Sequence, residues 1–342
     1  MRIFKYTGSL LLILLFFTAC ENEKEEEIVE TISKFDQLVS EGEISGSLSP
    51  FPLIHISAYK SLEEFTELRD HDLVLLTSSG DQVYVYPHRE MYVEVVNEDF
   101  GDGPVAITFC PITKSGMGWD RIIGQDTMVL TASGYLLMDN LMPLDTVTAS
   151  IFSQMHSRGY KGVYDKRKVS TFSLIETTWE TVKIHFHDAL VFDGAESLRL
   201  CGEPGSESRK GRSIQFSESQ FTETEKYFGV IETTGVSLLS YSDFPGSIGM
   251  LKGIGKSGLT VVGSDSLKYI VAFATDYKME IVEDGFPVIL QDETGTKWNL
   301  FGEAVSGPRK SEILDSPESY LAYGWAWTDF YNSVERYQAA GK

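Results

Sequence analysis

Two stretches of this chain, one in each half, carry the same string of turn and strand residues, and this constrains the fold more than any single segment. Asp145-Thr146-Val147-Thr148-Ala149-Ser150-Ile151-Phe152 has a counterpart in Asp292-Glu293-Thr294-Gly295-Thr296-Lys297-Trp298. Each is followed by a Gly-containing turn, Gly159 to Gly162 or Gly302 to Gly307. Each then leads to an aromatic stretch closing on Phe186-His187-Asp188 or Phe330-Tyr331-Asn332. Upstream, Val83–Pro87 leads to Ile107-Thr108-Phe109 much as Val236–Ser240 leads to Val271-Ala272-Phe273. Such self-similarity reads as a divergent tandem duplication. The competing reading is two β-rich segments that share generic turns. In this pairing Ala274-Thr275 stands where the first half has Cys110-Pro111, so a cysteine-bearing site falls in the first half alone.

The remaining body is written in short β-branched and aromatic runs broken by Gly, Asp, Asn and Ser. Val83–Tyr86, Met91–Val96, Val105–Phe109, Met128–Ala132, Lys268–Thr275 and Phe286–Leu290 are the expected strands. Helical spacing is expected over Ile28–Val39 and Thr178–Phe186, with Trp179, Val182 and Phe186 on one face. Ser61–Leu68 has Ser61 and Glu64 in capping-box register. Ser316-Pro317-Glu318 reads as a helix start leading into Tyr320, Tyr323, Trp327, Phe330 and Tyr331. The expected fold is α+β and β-rich: two related lobes, residues 51–212 and 213–342, with short helices. The breaker-rich stretch Gly202–Gly211 links them. With 342 residues, 42% of them hydrophobic, there is material for two such cores.

The N-terminus reads as an address. Arg2 and Lys5 precede an apolar run, Leu10–Phe17, too short to be a stable membrane span. Phe17-Thr18-Ala19-Cys20 resembles a bacterial lipobox. Residues 1–19 are then a signal peptide, and Cys20 becomes the lipidated first residue, carrying palmitate-type acyl chains. An uncleaved N-terminal anchor is the alternative. Residues 20–50 follow as an acidic tether and linker, opening with Glu21-Asn22-Glu23-Lys24-Glu25-Glu26-Glu27. Acidic residues so close to the lipidated Cys resemble the surface-export signal of some bacterial lipoproteins. The expected location is the outer membrane, at the cell surface or the periplasmic face. A formal charge of −21 repels nucleic-acid phosphates and anionic lipid heads. The expected partners are the membrane, through the lipid, and an uncharged or cationic small molecule or glycan.

An ordered set of segments carries a resemblance to a family. Tyr86-Pro87-His88-Arg89 and Asn97 come first, then Phe109-Cys110-Pro111-Ile112-Thr113 and Trp119-Asp120-Arg121. Ser133-Gly134-Tyr135-Leu136-Leu137 with Asn140 follows. Asp145, Thr148, Ser150, Phe152, Ser153 and Gln154 come next, and Trp179 with His187-Asp188 is last. Over roughly residues 75–340 this resembles the bacterial family catalogued as domain of unknown function 3179. Three positions depart from its pattern. Lys114 stands where the turn usually has Gly, Phe152 where Trp is usual, and Thr113 where many members have a second Cys. The resemblance implies an architecture and candidate residues but no reaction.

Cys110 lies after an apolar strand and before a Gly-containing loop, where a thiolate can meet substrate if a cation lowers its pKa. Arg89 and His187 are the candidates to act with it in an extracytoplasmic enzyme. A buried inert thiol and a bridge to Cys201 are the other readings of Cys110. His88, Asn97, Trp119, Asn140 and Gln154 are candidate ligand contacts, because burying such polar groups is costly. The opposing reading is a binding protein with no turnover. No metal set and no cofactor is assigned: His185 and His187 lack further ligands at fixed spacing. Met250–Ser257 nearly meets a phosphate-loop frame, but a strand-like run follows it, so a hairpin is expected.

Overall fold

Short alternating runs bounded by Gly and Asp can only form short strands, and the chain uses them in two nearly matching sets. The computed structural model describes residues 33–101, 103–202 and 224–337. Among these residues there are six sheets and four short α-helices, a β-rich α+β body.

In the first half, strand Leu73–Ser79 turns at Ser79↔Gln82 into strand Gln82–Pro87. Strand Ile175–Thr178 then pairs antiparallel with Leu73–Ser79, and Leu190–Phe192 pairs parallel with Gln82–Pro87. Helix Trp179–His185 connects them, with the Thr178 side chain accepting from Thr181 N as its N-cap. In the second half, Lys226–Glu232 turns at Glu232↔Gly235 into Gly235–Leu239. Ser319–Tyr323 pairs antiparallel with Lys226–Glu232, and Val334–Arg336 pairs parallel with Gly235–Leu239. Helix Gly324–Phe330 connects them.

Between these elements each half inserts a three-stranded meander. The first is Val95–Phe100, Gly103–Cys110 and Ser115–Asp120; the second is Gly249–Ile254, Leu259–Ser264 and Tyr269–Phe273. Each half then adds a four-stranded meander, beginning at Leu130–Leu137 and at Glu280–Ile281. The loop bonds match as well. Gly159 N→Arg167 O, Lys166 N→Gly159 O and Asp165 N→Gly162 O recur as Ala304 N→Glu312 O, Ser311 N→Ala304 O and Lys310 N→Gly307 O, each 145 positions on.

The halves interlock. The largest sheet has eight strands and crosses from one half to the other where Leu321 faces Gly116. One core packs Trp119, Leu130 and Phe152 of the first half with Trp325, Trp327 and Phe330 from the helix of the second. Another packs Trp179, Val182 and Phe186 from the helix of the first half with Val262, Tyr269 and Trp298 of the second. Each helix therefore buries its apolar face among the strands of the opposite half.

Several expected elements move. Ser61–Leu68 is turn rather than helix, although Ser61 N donates to Glu64 Oε2 at 2.9 Å as the capping box requires. The helix expected from Ser316 is preceded by strand Ser319–Tyr323, because that segment finds a strand partner on each side. Ile28 and Ile32 lie outside the described residues; the helix there is Phe35–Glu41, burying Phe35 and Leu38. Gly253–Gly258 does lie in a hairpin, between Gly249–Ile254 and Leu259–Ser264.

Candidate functional site at the seam between the halves

Glu176 sits in the middle of strand Ile175–Thr178 with its side chain 1% exposed. A carboxylate taken that far out of water needs counter-charge and donors. It receives them from both halves. Tyr241 OH donates to Oε1 at 2.7 Å, and Lys226 Nζ donates to the same oxygen. His88 Nε2 lies 3.2 Å from Oε2, at ion-pair distance, yet neither atom has a hydrogen-bond partner of good geometry. His88 follows strand Gln82–Pro87 of the first half; Lys226 and Tyr241 belong to the second. Counted from the matching hairpin turns, His88 and Tyr241 occupy the same place in their halves.

The His88 ring stacks on Phe109 with centroids 4.4 Å apart. Lys114 Nζ lies 5.7 Å from the centroid of that same ring. Lys114 is half-buried in the four-residue turn closed by Cys110↔Ser115, in left-handed backbone with φ 55°. The turn is tied to the second half by Tyr323 N donating to Thr113 O at 2.9 Å.

The electrostatics follow from burial and these neighbours. Burial alone would raise the Glu176 carboxyl, but Lys226 and His88 outweigh it and hold it below the usual carboxylate range. Burial pushes His88 down against the pull of Glu176, keeping the ring neutral at pH 7. Burial, then the charge of Lys226, lowers Lys114. Burial raises Tyr241 and Tyr323, and Glu176 adds to both. A neutral imidazole, a fixed carboxylate, a phenol and two amines can bind a polar ligand and move a proton. Among the described residues no group of three or more His, Cys, Asp or Glu is placed to hold a metal ion.

Of the residues chosen from the sequence, His88 belongs to this cluster. Cys110 is adjacent in the chain to Phe109 but points to the opposite face of the strand, as alternation dictates. It is fully buried in the core containing Trp119 and Phe152, and its thiol donates to Asp139 O at 3.6 Å. Burial, and then Glu94, push the thiol up, away from the thiolate form. Cys201 is also a free thiol, half-exposed. Arg89 is exposed and donates to Glu67 O at 2.7 Å. His187 is exposed beyond the end of helix Trp179–His185. Cys110, Arg89 and His187 are not hydrogen-bonded to one another.

The other polar candidates are occupied. Gln154 Oε1 accepts from Ser115 at 2.7 Å and Asn140 at 2.9 Å, while its Nε2 donates to Thr108 at 2.9 Å. Asn97 bonds Ile54 O, Leu130 O and Leu130 N. Trp119 is fully buried, edge-on to Phe152. These groups tie the strands of the first half to one another. Cys20 lies outside the described residues.

Glu176, Lys226 and Tyr241 escape sequence reasoning because each is a lone polar residue in or beside a β-run. Only Lys114 left a signal, as a departure from Gly.

Residues 49–334 match the model of a family described as a protein of unknown function (DUF3179). No curated protein and no solved structure matches the chain.

Proposed function

The chain belongs to the DUF3179 family, and we propose that it is a lipid-anchored cell-envelope protein that holds a small molecule at the Glu176 cluster between two duplicated halves. Its anchor is Cys20, and its outer-membrane address rests on the signal segment and the acidic tether. The matching strand order and the constant 145-residue offset of the loop bonds support the duplication.

One observation carries the site. Glu176 faces Leu75 across its ladder as Leu321 faces Phe228, so Leu321 is its counterpart. Leu73 is likewise the counterpart of Lys226. The same framework therefore accommodates two leucines where the seam has an ion pair. Apolar replacements of a buried pair are often neutral or stabilising. The charges at the seam are retained for something other than stability. The buried, raised thiol of Cys110 favours binding at Glu176 over thiolate catalysis at Cys110.

A thermal-shift screen of polar metabolites and short glycans against wild type and His88→Gln tests the site. Ligands that stabilise wild type and not the variant support it. Equal shifts in both, or no ligand at all, would sink it. Membrane fractionation of Cys20→Ser tests the anchor: a variant still acylated and membrane-bound refutes it.

A further inference from the structure

The two halves present the same four-residue turn with one charge changed. In the second half the turn closed by Ser264↔Tyr269 carries Asp265 first and Lys268 last. Lys268 has φ 56°, the same left-handed backbone as Lys114 at 55°. Its ammonium is neutralised inside the turn by Asp265 Oδ1 at 2.6 Å. In the first half the corresponding first residue is Pro111, which has no charge to give. Lys114 accordingly has no ion pair and no hydrogen-bond acceptor among the described residues. It sits half-buried over Phe109, beside His88 and within the field of Lys226.

Left-handed backbone disfavours any residue with a Cβ, yet both turns place a Lys there. Glu176 is already engaged by Lys226, Tyr241 and His88. With His88 neutral, two ammonium groups face one carboxylate. The cluster is locally positive within a chain of charge −21. Such a patch suits a ligand of the opposite sign to the one expected from net charge.

We infer that the seam site takes a carboxylate-bearing small molecule, whose carboxylate pairs with Lys114 as Asp265 pairs with Lys268. The inference rests on the ligand site proposed at Glu176 and adds its substrate class. His88 lies against the buried Phe109 ring beside the turn, and Tyr323 lies on the strand tied to it. A carboxylate reaching Lys114 exchanges hydration for a charge-assisted hydrogen bond in a partly desolvated place, where such bonds are strongest.

The test is protection of Lys114 from acylation by an amine-reactive ester, read by peptide mass on the full chain. Sodium acetate and sodium succinate serve as probes, against sodium chloride at matched ionic strength. In wild type the carboxylates slow labelling at Lys114 by about fivefold, the factor given by an ion pair of about 1 kcal/mol. They leave Lys268 unchanged. Pro111→Asp rebuilds the second-half turn at an exposed position; its Lys114 labels slowly with or without carboxylate. Lys114→Gly, which the backbone favours, keeps the fold and loses any carboxylate-induced thermal shift. Labelling at Lys114 that ignores both carboxylates overturns the inference. If it does so while neutral ligands still stabilise wild type and not His88→Gln, the site stands and only its ligand class falls. If neither effect is seen, both fall.

Discussion

Removing the charge of Glu176 tests the seam most directly. Glu176→Gln keeps the shape and an acceptor for Tyr241 but leaves Lys226, whose side chain is only 14% exposed, without its counter-ion. Breaking one partner of a buried pair costs about 3–5 kcal/mol, and the retained amide places this change near the lower end. At about 1.5 °C per kcal/mol for a chain of this size, the melting temperature at pH 7 falls by about 4–5 °C. The pH dependence carries a sign. The folded carboxyl lies below its unfolded value of about 4.3, so its stabilisation is complete above that pH and is lost as pH falls toward the folded value. The gap between wild type and Glu176→Gln is therefore flat from pH 5 to 8 and narrows in acid. Thermal melts by circular dichroism across that range measure it. Glu176→Met with Lys226→Met, which removes both charges, recovers most of the loss. A Glu176→Gln protein that melts within about 1 °C of wild type at pH 7 would refute the reasoning, since no buried pair could then be present.

Two further outcomes follow from buried groups. His156 is buried between Phe35, Phe330 and Tyr331, with Nε2 donating to Phe330 O at 3.1 Å and Nδ1 3.0 Å from Ser153 Oγ. Burial lowers its pKa to about 3. The unfolded value is about 6.5, so stability is present above that and drains as pH falls, by about 2 kcal/mol between pH 7 and pH 5. His156→Gln removes that component, and denaturant melts at the two pH values report it; an unchanged slope contradicts the buried neutral ring. For the thiols, native protein treated with iodoacetamide at neutral pH is modified at Cys201 and not at Cys110. Cys110→Ala lowers stability by about 1–2 kcal/mol without changing ligand affinity at the seam. Rapid alkylation of Cys110 would return it to the list of nucleophiles.

What the sequence made legible was local. The spacing of Trp179, Val182 and Phe186 announced a helix, because one buried stripe is written in neighbouring residues. Ser316-Pro317-Glu318 announced one too early, because the flanking strands that claim Ser319–Tyr323 come from about ninety and two hundred positions away. Strand Val105–Phe109 was placed correctly, but the Gly-containing loop expected after Cys110 includes strand Ser115–Asp120, and the face Cys110 would occupy depends on the register of the strand, which the pattern left open. The likeness of the stretches at Asp145 and Asp292 was visible, yet the register between the halves was not. Pairing Phe109 with Phe273 follows the aromatic residues, whereas the ladders put Gly263 and Ser264 in the places of Phe109 and Cys110.

That register shift decides what can be learned from comparing the halves. With Phe273 as guide, the second half lacks a cysteine and the eye goes to Cys110. With the ladders as guide, the differences fall elsewhere: His88 against Tyr241, Glu176 against Leu321, Lys226 against Leu73, and Pro111 against Asp265. The positions bearing on stability keep their chemistry, as Trp298 and Phe152 both lie buried in a large core. Charge changes at exposed positions, such as Asp165 against Lys310 and Arg167 against Glu312, cost little; the four pairs at the seam are of another kind. Each puts a residue at or beside one patch of the seam, and together they leave that patch with a buried carboxylate, a neutral imidazole and an unneutralised amine. Unpaired charge costs most in a half-buried place, so it is these four that the proposed ligand site has to account for.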